Sequence, residues 1–543
     1  MGPILGTIVA VGAALRVANL GQSPPGLNQD EAVNAWNAWC LLKTGKDQHG
    51  VSWPILYTRA LGENRSTLYL YYLIPFQAVG GLNIWTLRFA SAFGGVLTLP
   101  LVYYLGRRMF GQAAGLAATA LLALNPWHIQ QSRWGNEGAI APLLVSLSVA
   151  FWLWARLPLD DQGRPPRAIR AGLAGAISGM CCYGYAAIRL FLPLFLILVV
   201  AVTWRAWRRQ LASRRGLPAV ALFATAGAAA FAPLAWTHWR YPDMIGRRLE
   251  ATRTWNADDP AAIKIIKVLR RYPAHYDPRR LFFTGDPLRF QSPPGIGFFH
   301  VYMLPFMLAG VVVLLRDARA SPSARILLAW VALYPAGDLV TNHPGIHAVR
   351  CLPGLCGLVL LGAVGAVRAA RALYAAQPRT AVRAAVLTAL VIVVSNTLYL
   401  RRFFVDFNRD KEMYTSFHAD FVEACAWLRP RWADYDAVFC TSERVNMPYA
   451  LSLVVLGYDP RRWFEDPRTV ARVGDWETYT RYGKMYFLYP DRDWTELEHM
   501  RIDSKPQKAA FIIRPFEIIG LRPDVVVRGP GGVSALWICE QEI

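Results

Sequence analysis

Residues 352–367 read LPGLCGLVLLGAVGAV and residues 384–400 read AAVLTALVIVVSNTLYL. Neither run carries a charge, and each approaches the ~17–25 residues that cross a bilayer. The stretch between them holds Arg368, Arg371, Arg379 and Arg383 with no acidic residue. Apolar runs joined by short basic loops are the signature of a polytopic membrane protein with its basic loops inside. The pattern recurs at Ile4–Leu20, Leu190–Trp204 and Val301–Leu315, and basic clusters recur at Arg107–Arg108, Arg156–Arg170, Arg205–Arg215 and Arg316–Arg325.

Composition agrees. Of 543 residues, 54% are hydrophobic and 17% charged, against about 25% charged in soluble domains. The net charge of +21 would suggest nucleic acid in a soluble chain. Its confinement to short loops between apolar runs excludes that partner and points to membrane lipids.

Parity then sets the topology. About eleven transmembrane helices are expected: Ile4–Leu20, Trp85–Gly106, Ala113–Pro126, Ala139–Leu157, Ala171–Tyr185, Ile188–Trp204, Leu217–Trp236, Phe299–Leu315, Ile326–Val340, Cys351–Val367 and Val382–Leu400. Ile4–Leu20 lacks a basic flank and a cleavage site, so it reads as a retained helix. Leu68–Val79 is too short to span, and its Tyr69, Tyr71 and Tyr72 suit an interfacial helix. Residues 21–86 therefore form an outer loop, as do 238–298. Within the first, Asn28 and Glu31 spell a capping box opening a second interfacial helix, Gln29–Lys43, whose Trp36 and Trp39 suit the headgroup region.

The expected division is a helical domain, 1–401, and an outer, soluble α/β domain, 402–543. In the latter Ala437–Cys440, Met485–Leu488, Ala510–Ile513 and Val525–Val527 read as strands, and His418–Leu428 and Trp494–Met500 as helices. No Gly-rich phosphate loop marks it for a nucleotide. Its Cys425, Cys440 and Cys539 leave one disulfide open. No Cys/His cluster has metal-ligand spacing.

Asp30–Glu31 starts the helix after the first span. Carboxylates there complement the helix dipole by roughly 0.3–1 kcal/mol each. The alternative is a general base whose neighbouring acid raises its pKa by like-charge repulsion.

The segment Pro25-Gly26-Leu27-Asn28-Gln29-Asp30-Glu31-Ala32, straight after a span ending in Leu15-Arg16, resembles the GT-C membrane glycosyltransferases. The likeness is to bacterial relatives of the protein O-mannosyltransferases and of the lipid A aminoarabinose transferase. It continues in Arg88-Phe89-Ala90-Ser91-Ala92, Asn125-Pro126-Trp127-His128, Ser132-Arg133-Trp134-Gly135-Asn136-Glu137 and Phe282-Phe283-Thr284-Gly285-Asp286. The resemblance implies Asp30 as catalytic base and Glu31 as its supporting partner. It also implies a polyprenyl-phosphate-linked sugar donor, an acceptor hydroxyl on a protein, lipid or glycan, inversion at the anomeric carbon, and a site on the extracytoplasmic side.

A departing lipid phosphate calls for Arg, permanently charged and two-pronged. Arg65, Arg189 and Arg350 sit at outer turns, each readable as a phosphate ligand or a snorkelling anchor. Arg133 and Glu137 are spaced to pair on a helix. The resemblance makes Glu137 the second-choice carboxylate and Asp286 the third. His343 and His347 flank Pro344, which argues against one helix face for zinc. They favour a functional Arg350. A divalent metal is left open but required by no ligand cluster. The rival class, a transporter or lipid flippase, should show internal repeats and midspan polar sites, and the sequence shows neither.

Overall fold

The computed structural model describes residues 2–157, 166–242, 250, 252–473, 476–489, 507–515, 517 and 521–542. The expected helix Trp494–Met500 and part of the Arg156–Arg170 loop lie outside them. The chain separates into two compact units. One comprises Met1–Ala18 with Ser91–Arg402, the other Asn19–Ala90 with Phe403–Ile543. The sequence grouped the first outer loop with the membrane helices. The contacts group it with the C-terminal part.

Each of the eleven apolar runs is helical over most of its length. Among the described residues, five helices are long and apolar enough to cross a membrane: Ile84–Phe110, Glu137–Ala155, Gly216–Arg240, Leu352–Ala376 and Pro378–Arg409. Ala186–Val202 with Trp204–Leu211, bent by 82°, makes a sixth if it is one span. Others are cut short by local chemistry. The Ile326–Val340 run breaks after Leu333, and Pro335 caps a separate turn, Ala336–Leu339. The Ala113–Pro126 run ends at Ala123, and Asn125 caps a new helix that begins at Pro126.

Within the helical unit, glycines set the closest crossings. A methyl on Gly179 would lie 2.7 Å from the Gly227 carbonyl oxygen, and one on Gly106 2.7 Å from the Gly115 Cα. Without a hydrophobic drive between helices in lipid, such close backbone approach is what holds them.

In the other unit a seven-stranded sheet runs in the order β4-β5-β6-β3-β7-β9-β8. The strands are β3 (Ala437–Thr441), β4 (Arg468–Val473), β5 (Trp476–Tyr482), β6 (Met485–Leu488), β7 (Lys508–Ile513), β8 (Val525–Arg528) and β9 (Ser534–Glu542). A separate hairpin, β1 (Tyr57–Ala60) and β2 (Glu63–Ser66), lies in the first outer loop. Central β3 pairs in parallel with β6 and β7, and the flanking pairs are antiparallel. All eight cysteines are free. Cys440 on β3 and Cys539 on β9 are separated by β7, two strand spacings or roughly 9.5 Å, too far for a disulfide.

The first outer loop shares a core with this sheet domain. Trp36, expected at the headgroups, is fully buried and meets Trp463 edge-on at 5.7 Å. Trp463 Nε1 donates to the Gln48 carbonyl at 2.9 Å. The Leu68–Gly80 helix buries Tyr69 and is tied to the Gln29–Thr44 helix by Gln77 Nε2, which donates to Ala35 O at 2.9 Å. Among the residues expected at the interface, Trp39 remains partly exposed, with Lys43 over its ring.

His418 precedes the helix Ala419–Leu428 in a left-handed conformation and is buried near the Asp420–Arg514 ion pair. Burial pushes its pKa from 6.5 down to about 4, Asp420 opposing and Arg514 reinforcing the effect. The unfolded chain therefore takes up a proton as the pH falls below 6.5, while the native imidazole stays neutral until about 4. Its contribution is complete above that window and is lost on descending through it, by about 3 kcal/mol. Thermal unfolding from pH 7 to pH 4 should show His418→Gln losing less stability than the parent by about that amount. Parallel curves would contradict this reading.

Candidate functional site

The acid pair of the first outer loop is built by a complete capping box. Asn28 has extended backbone, and its Oδ1 accepts the Asp30 N–H at 3.0 Å. The Glu31 Oε2 in turn accepts the Asn28 N–H at 3.1 Å. This fixes both carboxylates on the first helical turn but sends them to different surroundings.

Glu31 points inward and is fully buried. Arg88 grips it with two prongs, Nε to Oε1 and Nη2 to Oε2, both at 2.8 Å. The remaining Arg88 donors reach the carbonyls of Leu20, Pro24 and Gly26 at 3.3, 2.6 and 2.9 Å. All five guanidinium hydrogens thus find acceptors. Asp30 points outward with its side chain 30% exposed, and Arg65 Nη2 meets its Oδ1 at 2.7 Å. Arg65 sits on β2, presented by the β1–β2 hairpin, whose Leu61 and Gly62 have positive φ values of 57° and 80°, the backbone a tight hairpin turn requires.

The two acids have separate partners: Arg88 matches the charge of Glu31, and Arg65, readable from the sequence as a phosphate ligand or an anchor, pairs with Asp30. Arg88, quoted only as part of a motif, is the residue sequence reading missed. An arginine at the mouth of an apolar helix needs a partner, and that was the available signal.

A second cluster lies in the helical unit. Asp338, fully buried, accepts from His275 Nε2 at 2.9 Å, Thr341 Oγ1 at 2.8 Å and the His347 N–H at 3.1 Å. Arg271 and Arg350 stand 3.6 and 3.8 Å from it, and Arg350 also donates to Thr341 Oγ1 at 2.7 Å. Asp286, also buried, takes His343 Nε2 at 3.1 Å and the backbone N–H groups of Ala348 and Leu288 at 2.8 Å each. Together the two carboxylates shape the turn from Thr341 to Arg350. Asp286, His347 and Arg350, expected separately, belong to this one region. Asp338, Arg271 and His275 were missed, although a carboxylate at the end of an apolar run signals a site by default.

Neighbouring turns close on it. Gly337 packs so tightly on the start of the Arg189 helix that a methyl would lie 2.6 Å from Ala187 Cβ. Arg189, half-buried, donates to the Cys182 carbonyl at 3.3 Å. Half-buried Glu137 opens a turn capped by Asn136, and the adjacent Gly138 faces Tyr185 and Val349. Arg133 has a bracing role: it is fully buried and donates to the Leu15 and Arg16 carbonyls at 3.2 and 3.1 Å. Arg16 in turn reaches His128 Nδ1 at 2.6 Å. Burial and the Arg16 charge hold the His128 pKa well below its ordinary value.

His275, Asp338 and Cys351 bring potential metal ligands within 4.8 Å of one another. The donor set does not fit a divalent cation. Its carboxylate is already engaged by His275 and Thr341 and faces two guanidiniums within 4 Å.

Against known proteins, residues 64–236 match the family model described as dolichyl-phosphate-mannose-protein mannosyltransferase. The chain has a GT-C-like helical fold with a C-terminal β-sheet domain. It is similar over 98% of its length to the crystal structure of ArnT from Cupriavidus metallidurans bound to undecaprenyl phosphate, with a TM-score of 0.58 and 14% identity over 97% of that chain. The apo form of the same protein gives 0.57 and 14% identity, covering 99% of this chain and 98% of that one. A curated relative, the undecaprenyl phosphate-alpha-4-amino-4-deoxy-L-arabinose arabinosyl transferase 1 of Pseudomonas fluorescens, is 32% identical over 182 residues. That match spans 32% of this chain and only 30% of the relative. The family match begins beyond Asp30 and Glu31, so their assignment rests on geometry and on the motif around them.

Arg88→Met should cost about 3–5 kcal/mol, because it strands a buried carboxylate. Arg88→Lys should recover only part of the loss, lacking the two-pronged contact. Thermal unfolding of the purified, detergent-solubilised protein reads both. A parental melting temperature for Arg88→Met would show that the pair does not hold the loop.

Proposed function

We propose that this protein transfers a sugar from a polyprenyl-phosphate carrier to an acceptor hydroxyl on the extracytoplasmic side of the membrane, with inversion. The observation that carries the reading is the divergence of the two acids: Glu31 is fully buried and charge-matched, while Asp30 is solvent-reachable on the same helical turn. A positioned carboxylate open to a substrate is what a general base requires. The likeness to transferases named for dolichyl- and undecaprenyl-phosphate sugars supports the donor class.

In this mechanism Asp30 takes the proton from the acceptor hydroxyl as its oxygen attacks the anomeric carbon. The bond from that carbon to the phosphate oxygen breaks, and its electron pair leaves with the lipid phosphate. Arg65 orients the base through its charge-assisted hydrogen bond. A guanidinium suits the leaving phosphate, and Arg350, which stands beside Asp338 with Arg271, is the candidate for it. Arg189 and Glu137 are candidates for contacts to the sugar. About eleven spans, with the basic loops inside, put the Asp30 loop and the C-terminal domain outside. The acceptor is a protein, lipid or glycan of the cell envelope.

Asp30→Asn keeps size and capping ability but cannot accept the proton. It should bind undecaprenyl phosphate as the parent does and turn over at least ~100-fold more slowly. A purely capping Asp30 predicts near-parental turnover instead, and that result would remove it from the mechanism.

A further inference from the structure

The segment that launches the Asp30 helix is held by residues nearly 400 positions further along the chain. The Leu27 N–H donates to the Phe417 carbonyl at 2.6 Å. Asn28 Nδ2 donates to the Ser416 carbonyl at 3.1 Å, while its Oδ1 caps the Asp30 N–H. Gly26, at a φ of +66°, lies so close to the turn that a methyl would stand 2.6 Å from the Ala419 Cα and 2.8 Å from its nitrogen. The Phe417 ring lies beneath the Arg88 guanidinium at 5.7 Å, and Arg88 grips both Glu31 and the Gly26 carbonyl. Upstream, Asn408 Nδ2 donates to Ser23 Oγ. The loop bearing the acids has no sheet to hold it between Gly21 and Gln29. Its register comes from Arg88 on the loop carbonyls and from these contacts with the Ser416–Ala419 turn.

We propose that the turn Ser416–Ala419 is a positioning element for catalysis: it sets the height and direction of Asp30 by clamping Gly26–Asn28 and by seating Arg88 on Phe417. This rests on the reading of Asp30 as the base. Phe417 and Asn28 touch no substrate in this scheme and act through Asp30. The C-terminal domain then has a defined catalytic task. A displacement of about 1 Å at a reacting group costs on the order of 100-fold in rate, so partial loosening of the clamp should be visible in turnover before it is visible in stability.

Two mild variants test it in the full-length, membrane-reconstituted protein. Phe417→Leu keeps apolar volume but removes the ring face from Arg88. Asn28→Ser keeps a good helix cap but is too short to reach the Ser416 carbonyl, and it stands in should Phe417→Leu fail to fold. Envelope extract from cells lacking the gene supplies donor and acceptor, and single-turnover release of the lipid phosphate is followed by mass spectrometry. Each variant should slow release about tenfold, with affinity for undecaprenyl phosphate unchanged. In the Asp30→Asn background the same substitutions should cost nothing further, because the group they position is gone. Equal losses in both backgrounds, or parental rates in the single variants, would overturn the proposal while leaving Asp30 as base. Parental turnover of Asp30→Asn alone would instead overturn the base reading, and the positioning role with it.

Discussion

The arrangement around Asp30 depends on one buried ion pair. Arg88 and Glu31 are both fully buried, and a charge taken out of water without a partner costs several kcal/mol. The pair avoids that cost by spending every hydrogen-bonding group it has. Glu31 accepts from Arg88 and from the Asn28 backbone, and Arg88 closes the loop carbonyls of Leu20, Pro24 and Gly26. A loop of glycines, prolines and polar residues thereby acquires one conformation. Because Glu31 turns inward, helical geometry turns its neighbour Asp30 outward, where Arg65 meets it.

The helical unit solves a similar problem with opposite signs. There a carboxylate, Asp338, is the buried centre, and Arg271, Arg350, His275 and Thr341 surround it. Both guanidiniums stand within 4 Å of the Asp338 carboxylate, which is why the nearby His and Cys do not read as a cation site. Asp286 plays the quieter part, tying His343 and the Ala348 backbone into the same turn.

Much of this was legible from residue order. Hydropathy located eleven apolar runs that are helical over most of their length, though not the buried helix Pro448–Leu456, and the Asn28–Glu31 spacing announced the capping box. Four strands of the sheet domain stood out as short apolar runs. What escaped were features set by tertiary partners. Leu68–Val79 and Trp36 look interfacial by composition, yet Tyr69 and Trp36 are buried in a core shared with residues more than 300 positions away, such as Trp463. β4, β5 and β9 carry too many polar residues to read as buried strands, and lengthy apolar runs hid breaks at Pro335 and Asn125. The pairing of each acid with its own arginine could not be read either, since Arg65 and Arg88 lie 35 and 57 residues from their partners.

The central claim is that this chain empties a lipid-phosphate sugar carrier through Asp30. Mass spectrometry of lipid-linked sugars and of envelope glycans, with the gene present, deleted, and restored as parent or as Asp30→Asn, tests it most directly. The account predicts that deletion makes one glycosylated polyprenyl phosphate accumulate while one envelope glycan loses the matching sugar. The parental gene should reverse both changes, and Asp30→Asn, present in the membrane at equal level, should reverse neither. Unchanged carrier and glycan profiles on deletion, or full restoration by Asp30→Asn, would contradict it.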